Sequence, residues 1–335
     1  MTQTQIKKRS NAIDMVKGLS IMTLFFLHFE NGWQTTDYNF FIVRSPAFYI
    51  IVGWLWGLSK NRRSVREHWE KRLQGLVKPY FYFSLIFIAF DLIMVICQQF
   101  EQITLYRDIY KTICLKGIGT LWFLPALLGG EIMFLYLRTK KMSIKLSAII
   151  FVLILLYALW GGINLENETF SNIANAPIST LKNMCLAFIF ISIAYFISRT
   201  WGKKILAINK TRLFFIGAAL LSADFYIMNF HHLTGVFSYI LNSMLAGIGI
   251  LLLFTAVEDF KPLSRPLVYC GKNSLIIMAV HFNLLFQLAL IFDKVVLEYE
   301  SYYGSRTLIY FIVAVILQIL VIEFINKKVP FIIGK

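Results

Sequence analysis

Charge is scarce in this chain. Charged residues make up 15% of its 335 residues, whereas 58% are hydrophobic; soluble domains carry roughly 25% charged residues. Many stretches reach the about 20 apolar residues needed to cross a hydrocarbon layer, and the loops between them are short. The composition excludes a mainly soluble protein. It predicts a single transmembrane domain over residues 1–335, with no soluble domain.

Cysteine is scarce as well. The chain has four cysteines, far apart and without a C-x-x-C pair. Metal sites and disulfide frameworks are read from cysteines at short, characteristic spacings. We therefore predict neither a metal site nor a disulfide framework.

Ten apolar segments predict ten membrane spans. Helices are their expected form, because lipid offers no other partner to backbone polar groups. Lysines and arginines number 25 in the N-terminal segment, every second loop and the tail, but five in the other loops. By the positive-inside rule both termini are cytoplasmic, and the net charge of +15 reflects topology rather than nucleic-acid binding. The result is an all-α bundle of about ten transmembrane helices, with spans near residues 12–30, 39–59, 76–97, 118–137, 146–164, 177–198, 212–230, 235–256, 273–293 and 306–326.

The first span carries a stripe of ionisable residues. Lys17 and His28 are eleven residues apart, which is about three turns and roughly 16 Å, so both lie on one helix face. Asp14 lies one turn before Lys17, on nearly the same face. Ionisable residues within a span usually face a bundle interior and are functional candidates. The alternatives are a lysine that snorkels to the headgroups and a histidine that hydrogen-bonds a neighbouring helix.

Depth in the membrane groups further residues with this stripe. His28, Arg44 and Trp122 fall in the outer half of their spans, and His281 falls near mid-depth. These four side chains are predicted to line one cavity, with Lys17 and the basic run at residues 62–78 at its cytoplasmic mouth. The sequence also allows other roles: Arg44 as an arginine that snorkels to the headgroups, Trp122 as an interfacial aromatic residue, and His281 as a structural residue. Within their spans, Asp91, Glu131, Asp224 and Lys182 are expected to pair across helices.

Residues of these types suit group transfer. A buried neutral histidine can take a proton from a hydroxyl nucleophile. Lysines and arginines at a cytoplasmic mouth can hold the phosphates of a nucleotide-like donor. An aromatic wall such as Trp122 suits a sugar ring or an acyl arm.

Five motifs, in order along the chain, resemble those of the integral-membrane acyltransferase-3 family, which O-acylates bacterial surface sugars. The first is a basic residue and a histidine with ten residues between them, as in Lys17 and His28. The others are SPAFYIIVGWLWG, KRLQGLVKPYFYF with Arg72, GTLWFLPALLGGE, and GKNSLIIMAVHFNLL with Ser274 and His281. The chain departs from the family pattern at Arg44 and Thr120, where histidine is usual, at Val52, where serine is usual, and at Gln74-Gly75, where a second arginine near Arg72 is missing.

The resemblance implies an O-acyltransferase of the bacterial inner membrane, surrounded by membrane lipids. Its co-substrate is implied to be acetyl-CoA or another acyl-CoA from the cytoplasm, with no permanently bound cofactor. The acceptor is implied to be a sugar hydroxyl of a surface glycan or of its lipid-linked precursor. The short chain is weakly similar to the fucose-4-O-acetylase-like subgroup. The expected catalytic residues are His28, as general base or acyl carrier, with Lys17 and Asp14; the expected donor-binding residues are Lys17, Arg72 and Lys71; and the expected channel residues are Arg44, Trp122, His281 and Glu131.

Two other functions use a similar architecture. A non-catalytic carrier or flippase for lipid-linked glycans needs the same charged cavity but neither a base nor an acyl donor. A polysaccharide polymerase usually relies on a large, arginine-rich outer loop, and the longest outer loop here, about residues 98–116, has one arginine. The carrier is therefore the main rival to the acyltransferase.

Overall fold

The computed structural model describes residues 10–31, 45–59, 65–139, 144–160, 162–163, 168–230, 235–296 and 306–335. Nearly all of these residues are helical, and no strand occurs among them. The all-α class predicted from the sequence is therefore confirmed.

A helix occupies each of the ten predicted spans. Eight segments of the described chain are long and apolar enough to cross a membrane, and the helices in the second and fifth spans are shorter. In chain order the helices of the ten spans and their neighbours are α1 (Asn11–Asn31), α2 (Pro46–Leu58), α3 (Val65–Arg72), α4 (Lys78–Ile96), α5 (Gln102–Ile113), α6 (Phe123–Thr139), α7 (Ile144–Leu159), α8 (Glu168–Ile197), α9 (Lys203–Leu206), α10 (Lys210–Phe230), α11 (Val236–Val257), α12 (Lys261–Lys272), α13 (Ser274–Val280), α14 (Gln287–Val296) and α15 (Arg306–Lys328).

Short non-α segments connect several of these helices. A 3₁₀ turn, Gly119–Trp122, leads into α6, and another, Pro330–Ile333, follows α15. Three π-helical segments join α3 to α4, α8 to α9 and α13 to α14. They are Leu73–Val77, Ser198–Gly202 and His281–Phe286. Such segments are frequent at functional sites, and the last begins at a predicted site residue.

Helix α1 lies at the centre of the bundle. It packs against α2, α11, α12, α13 and α15, and its apolar side chains Ile21, Phe25 and Phe29 are completely buried. By contrast, α10 and α15 expose most of their apolar surface. In a membrane that surface faces lipid, whereas the predicted ionisable stripe lies on a helix with half of its spanning residues buried.

Helices α5 and α12 occupy two stretches that the sequence analysis treats as loops. Both have mixed polar and apolar residues and lie outside the segments that can cross a membrane. Helix α5 is tied to α4 by the Tyr80 hydroxyl, which donates to the Thr112 carbonyl at 2.9 Å. Helix α12 packs along the first half of α1. Helix α5 therefore runs back along α4, and α12 runs beside α1.

Candidate active site

The start of α1 is held by groups from two other helices. The Ala12 N–H donates to Glu258 Oε2 at 3.2 Å, which places a carboxylate at the positive end of the α1 dipole. Gly18 and Gly271 let α1 and α12 touch backbone to backbone, since a Cβ on either would lie within 2.0 Å of a carbonyl oxygen of the other helix. Asp14 is buried at this contact. The packing fixes α1 along its axis and so fixes the depth of His28.

His28 lies beside a second histidine. Its ring centroid is 5.3 Å from that of His281 and 4.6 Å from that of Phe282. Phe25, one turn earlier on α1, also packs on His281 at 5.3 Å. The α1 stripe therefore meets the π-helical segment that follows α13 at an imidazole pair.

His281 is completely buried and its ring is oriented by the backbone. Its Nδ1 lies 2.7 Å from the Ile277 carbonyl oxygen. Since a carbonyl oxygen only accepts, Nδ1 carries a proton and donates it. In a neutral ring Nε2 then bears the lone pair, and this atom has no hydrogen-bond partner among the described residues.

The Gly119–Trp122 turn is fastened to the same π-helical segment. The Thr120 hydroxyl donates to the Met278 carbonyl at the end of α13, at 2.5 Å, and the Asn283 side-chain amide of the π-helical segment donates to Thr120 Oγ1 at 3.4 Å. Gly119 has a left-handed φ of 50°, and a Cβ there would lie 1.6 Å from Asn283 Oδ1. These contacts set the position of Trp122 relative to His281.

The two histidines and Trp122 line one small cavity of about 40 Å³. The structure therefore brings together three of the four side chains that were predicted to share a cavity. The fourth, Arg44, lies outside the described residues. The other lining residues are Ile21, Leu24, Ser45, Phe48, Thr120, Phe123 and Met278.

A second polar cluster lies further along α6. The Glu131 carboxylate is completely buried and accepts hydrogen bonds from Arg72 Nε at 2.7 Å, from Arg72 Nη2 and from His68 Nε2 at 2.8 Å. The predicted pairing of Glu131 across helices is thus seen, with its partners on α3. The His68 ring also packs nearly perpendicular to the ring of Trp56 of α2, with centroids 5.1 Å apart.

The remaining predicted site residues lie away from the cavity. Lys17 and Asp14 are on the part of α1 that packs against α12, and Arg72 and Glu131 form the second cluster. Lys71 is exposed on α3. No group of three or more metal-ligating side chains occurs within the described stretches.

Sequence reasoning missed His68, Thr120 and Asn283 as parts of these clusters. The four-residue spacing of His68 and Arg72 puts them on one face of α3, so this pattern was available. Thr120 and Asn283 are 163 residues apart, and no local pattern joins them.

The fold and the cavity define a multi-pass membrane protein with an internal site that contains two histidines. One family's sequence model, described as an acyltransferase domain, matches residues 10–325, nearly the whole chain. The chain therefore belongs to the acyltransferase-3 family, and its general activity is that of a membrane acyltransferase. Neither a curated protein nor a solved structure shows a match to it.

Proposed function

We propose that this protein moves an acetyl group from cytoplasmic acetyl-CoA to a sugar hydroxyl of a surface glycan, or of its lipid-linked precursor, at a bacterial inner membrane. The observation that carries the proposal is the small cavity on which His28 and His281 meet. A pair of imidazoles in a water-poor site can accept and return a proton, which acyl transfer to a hydroxyl requires.

The size of the cavity favours a short acyl group. A cavity needs at least about 10–15 Å³ to hold one water-sized group, so a cavity of about 40 Å³ has room for a group of a few non-hydrogen atoms. An acetyl group has three non-hydrogen atoms. A long acyl chain would require the cavity walls to separate.

The spacing of the two polar clusters suits a coenzyme A thioester. Trp122 and Glu131 are nine residues apart on one continuous helical segment, which corresponds to about 14 Å along its axis. An extended pantetheine arm covers a distance of this order. The charged nucleotide would then lie near Arg72, with Lys71 and Lys17 on the same side of the membrane, while the thioester reaches His28.

The proposed reaction balances with His28 as the proton carrier. His28 takes the hydroxyl proton while the acceptor oxygen bonds to the thioester carbonyl carbon. The carbon–sulfur bond breaks, and the proton passes to the leaving thiolate, which gives an ester and free coenzyme A. In the covalent version the His28 nitrogen bonds to the carbonyl carbon and the carbon–sulfur bond breaks to release the thiolate. The hydroxyl oxygen then bonds to that carbon as the carbon–nitrogen bond breaks, and the hydroxyl proton passes to the thiolate, which gives the same ester and free coenzyme A.

The other cavity residues would orient the reactants. His281 offers the lone pair of Nε2 to the incoming hydroxyl or to protonated His28. Trp122 forms an aromatic wall against the sugar or the acyl arm. Arg44, which lies outside the described residues, stays a proposed channel residue on the strength of its place in the sequence.

The test combines donor binding with transfer. In detergent, acetyl-CoA is expected to raise the melting temperature of the purified protein more than ATP does, because a ligand that binds only the folded state stabilises it. In cells, His28→Gln is expected to lower O-acetylation of the surface glycan by about 10²–10⁴-fold, the usual contribution of a general base. The matched control is Ser20→Ala, a buried polar residue of α1 whose hydroxyl bonds only its own helix, at Val16.

Each outcome separates the proposal from its rival. If cells with the His28→Gln variant acetylate the glycan at the wild-type level, with the variant protein at normal abundance, the catalytic role of His28 is wrong. A carrier of lipid-linked glycans has no use for a thioester, so the absence of any acetyl-CoA shift would favour the carrier. An equal shift with ATP would indicate general phosphate binding rather than a coenzyme A site.

A further inference from the structure

The cluster of His68, Arg72 and Glu131 lies outside the cavity, and the chemistry at His28 does not use it. The side chains of Glu131 and His68 are 0% and 3% exposed, whereas that of Arg72 is 27% exposed. Two members of the cluster are therefore sealed inside the protein. The third is an arginine whose guanidinium is held from inside and whose side chain is partly exposed.

Both carboxylate oxygens of Glu131 are occupied. Oε1 accepts from Arg72 Nη2, and Oε2 accepts from Arg72 Nε and from His68 Nε2. Two parallel bonds from one guanidinium fix its plane. The His68 bond, 2.8 Å long, fixes the carboxylate that those bonds depend on. Trp56, packed nearly perpendicular to the His68 ring, restricts the imidazole in turn.

Among the described residues, this arrangement leaves most of the guanidinium's donors without a partner. Arginine has five N–H donors, and the pair with Glu131 uses two of them, one on Nε and one on Nη2. The remaining three are on Nη1 and on the second position of Nη2. These three donors are on Arg72, the most exposed side chain of the cluster, on the side of the membrane that the positive-inside rule assigns to the cytoplasm.

We propose that His68 and Glu131 are positioning residues that orient Arg72 to bind the phosphates of the acyl-CoA donor. Planar, charge-assisted recognition of phosphate is the property that distinguishes arginine from lysine. His68 acts indirectly, because it fixes the Glu131 carboxylate, which in turn fixes the Arg72 guanidinium. This inference rests on the proposed function, since it requires a phosphate-bearing donor.

The test is a double-mutant cycle on acetyl-CoA affinity. Dissociation constants are measured on the purified full-length protein for the wild type, His68→Leu, Arg72→Lys and the double variant. His68→Leu is expected to weaken acetyl-CoA binding about tenfold, the effect of one charge-assisted hydrogen bond. In the Arg72→Lys background the same change is expected to have little further effect, because residues that act through one another are not additive.

Two additional variants separate positioning from folding. His68→Gln keeps an N–H donor near the place of Nε2, and it is expected to restore most of the affinity. Lys327→Ala breaks an exposed ion pair with Glu323, 2.9 Å long, at the end of α15, and it is expected to leave affinity unchanged. Melting temperatures of all variants without ligand show whether each still folds.

The outcomes distinguish this inference from the proposed function. The positioning role is wrong if His68→Leu weakens acetyl-CoA binding equally in the wild-type and Arg72→Lys backgrounds. It is also wrong if His68→Leu leaves binding unchanged while the wild type binds acetyl-CoA. In both cases the assignment of acetyl-CoA as the donor is unaffected. If His68→Gln folds normally and binds as weakly as His68→Leu, the hydrogen bond is not what matters. If the wild type does not bind acetyl-CoA, the donor assignment falls, and the positioning role falls with it.

Discussion

Gly119 shows how much of the site depends on a single backbone position. Its φ of 50° and the 1.6 Å that would separate its Cβ from Asn283 Oδ1 both require glycine. We expect Gly119→Ala to cost roughly 1–2 kcal/mol from the left-handed backbone, with a further cost from displacing the Asn283 amide. That amide also approaches Thr120 Oγ1 at 3.4 Å, so Trp122 should move and transfer should fall.

The Gly119 prediction is checked by its coupling to Asn283. Melting temperatures are compared for Gly119→Ala, Asn283→Ala and the pair. The glycine substitution should cost less when Asn283 is already alanine, because the steric conflict has gone and the backbone term remains. If the losses in melting temperature are strictly additive, contact with the Asn283 amide is not the reason that Gly119 must be glycine.

At the scale of residues, the sequence predicted the site in part. The spacing of Lys17 and His28 and the depths of Trp122 and His281 follow from helix geometry and span direction. The side chains that hold these residues in place cannot be predicted from helix geometry or from span direction. His68 bonds a residue 63 positions away, and such a contact depends on which helices become neighbours.

The helical elements were predictable where hydrophobicity is continuous. Each predicted span contains a helix, because about 20 apolar residues in lipid can satisfy their backbone in hardly any other way. Helices α5 and α12 were missed because they lack such a continuous apolar run. They lie outside the lipid-crossing segments and mix polar with apolar residues. Helix α12 also contains Pro266, which on sequence alone argues against an uninterrupted helix.

The α1–α12 contact leads to a prediction at the level of elements. In Gly271→Ala the new Cβ would lie 1.8 Å from the Asp14 carbonyl oxygen, so α12 must move off α1. We expect the melting temperature to fall by several degrees, in line with a cost of about 1–3 kcal/mol for overpacking. Because α12 covers the buried Asp14, acyl transfer should fall as well.

Gly75→Ala is the matched control for that substitution. A Cβ at Gly75 meets nothing within 4 Å, and alanine is the better helix former. This variant should keep or slightly raise the melting temperature. Equal losses from Gly75→Ala and Gly271→Ala would show that the close approach of α1 and α12 is not the cause.

For the whole molecule, the direction of the bundle decides which reactant reaches which cluster. In the proposed function the donor comes from the cytoplasm to the Arg72 side and the acceptor comes from outside to the His28 cavity. An inverted bundle would exchange the two entrances. The positive-inside rule sets the direction, and cysteine labelling measures it directly.

The cysteines supply that measurement. Cys97, at the end of α4, is exposed and should face outward. In spheroplasts, a membrane-impermeant maleimide should label a variant whose only cysteine is Cys97. A cysteine introduced by Lys328→Cys into a cysteine-free background should react only after permeabilisation, since it lies at the cytoplasmic end of α15. Labelling of Lys328→Cys in intact spheroplasts would invert the bundle and with it the assignment of donor and acceptor sides.

Cys270 of α12 provides an internal check on the same side. Burial raises the pKa of its thiol, so at neutral pH less of it is the reactive thiolate than for an ordinary cysteine. After permeabilisation a variant with Cys270 alone should therefore label more slowly than Lys328→Cys. Its rate should continue to rise with pH above the range in which an exposed thiol levels off. Rapid labelling of Cys270 before permeabilisation would place α12, and with it the start of α1 that packs against α12, on the outer face, and would therefore invert the bundle.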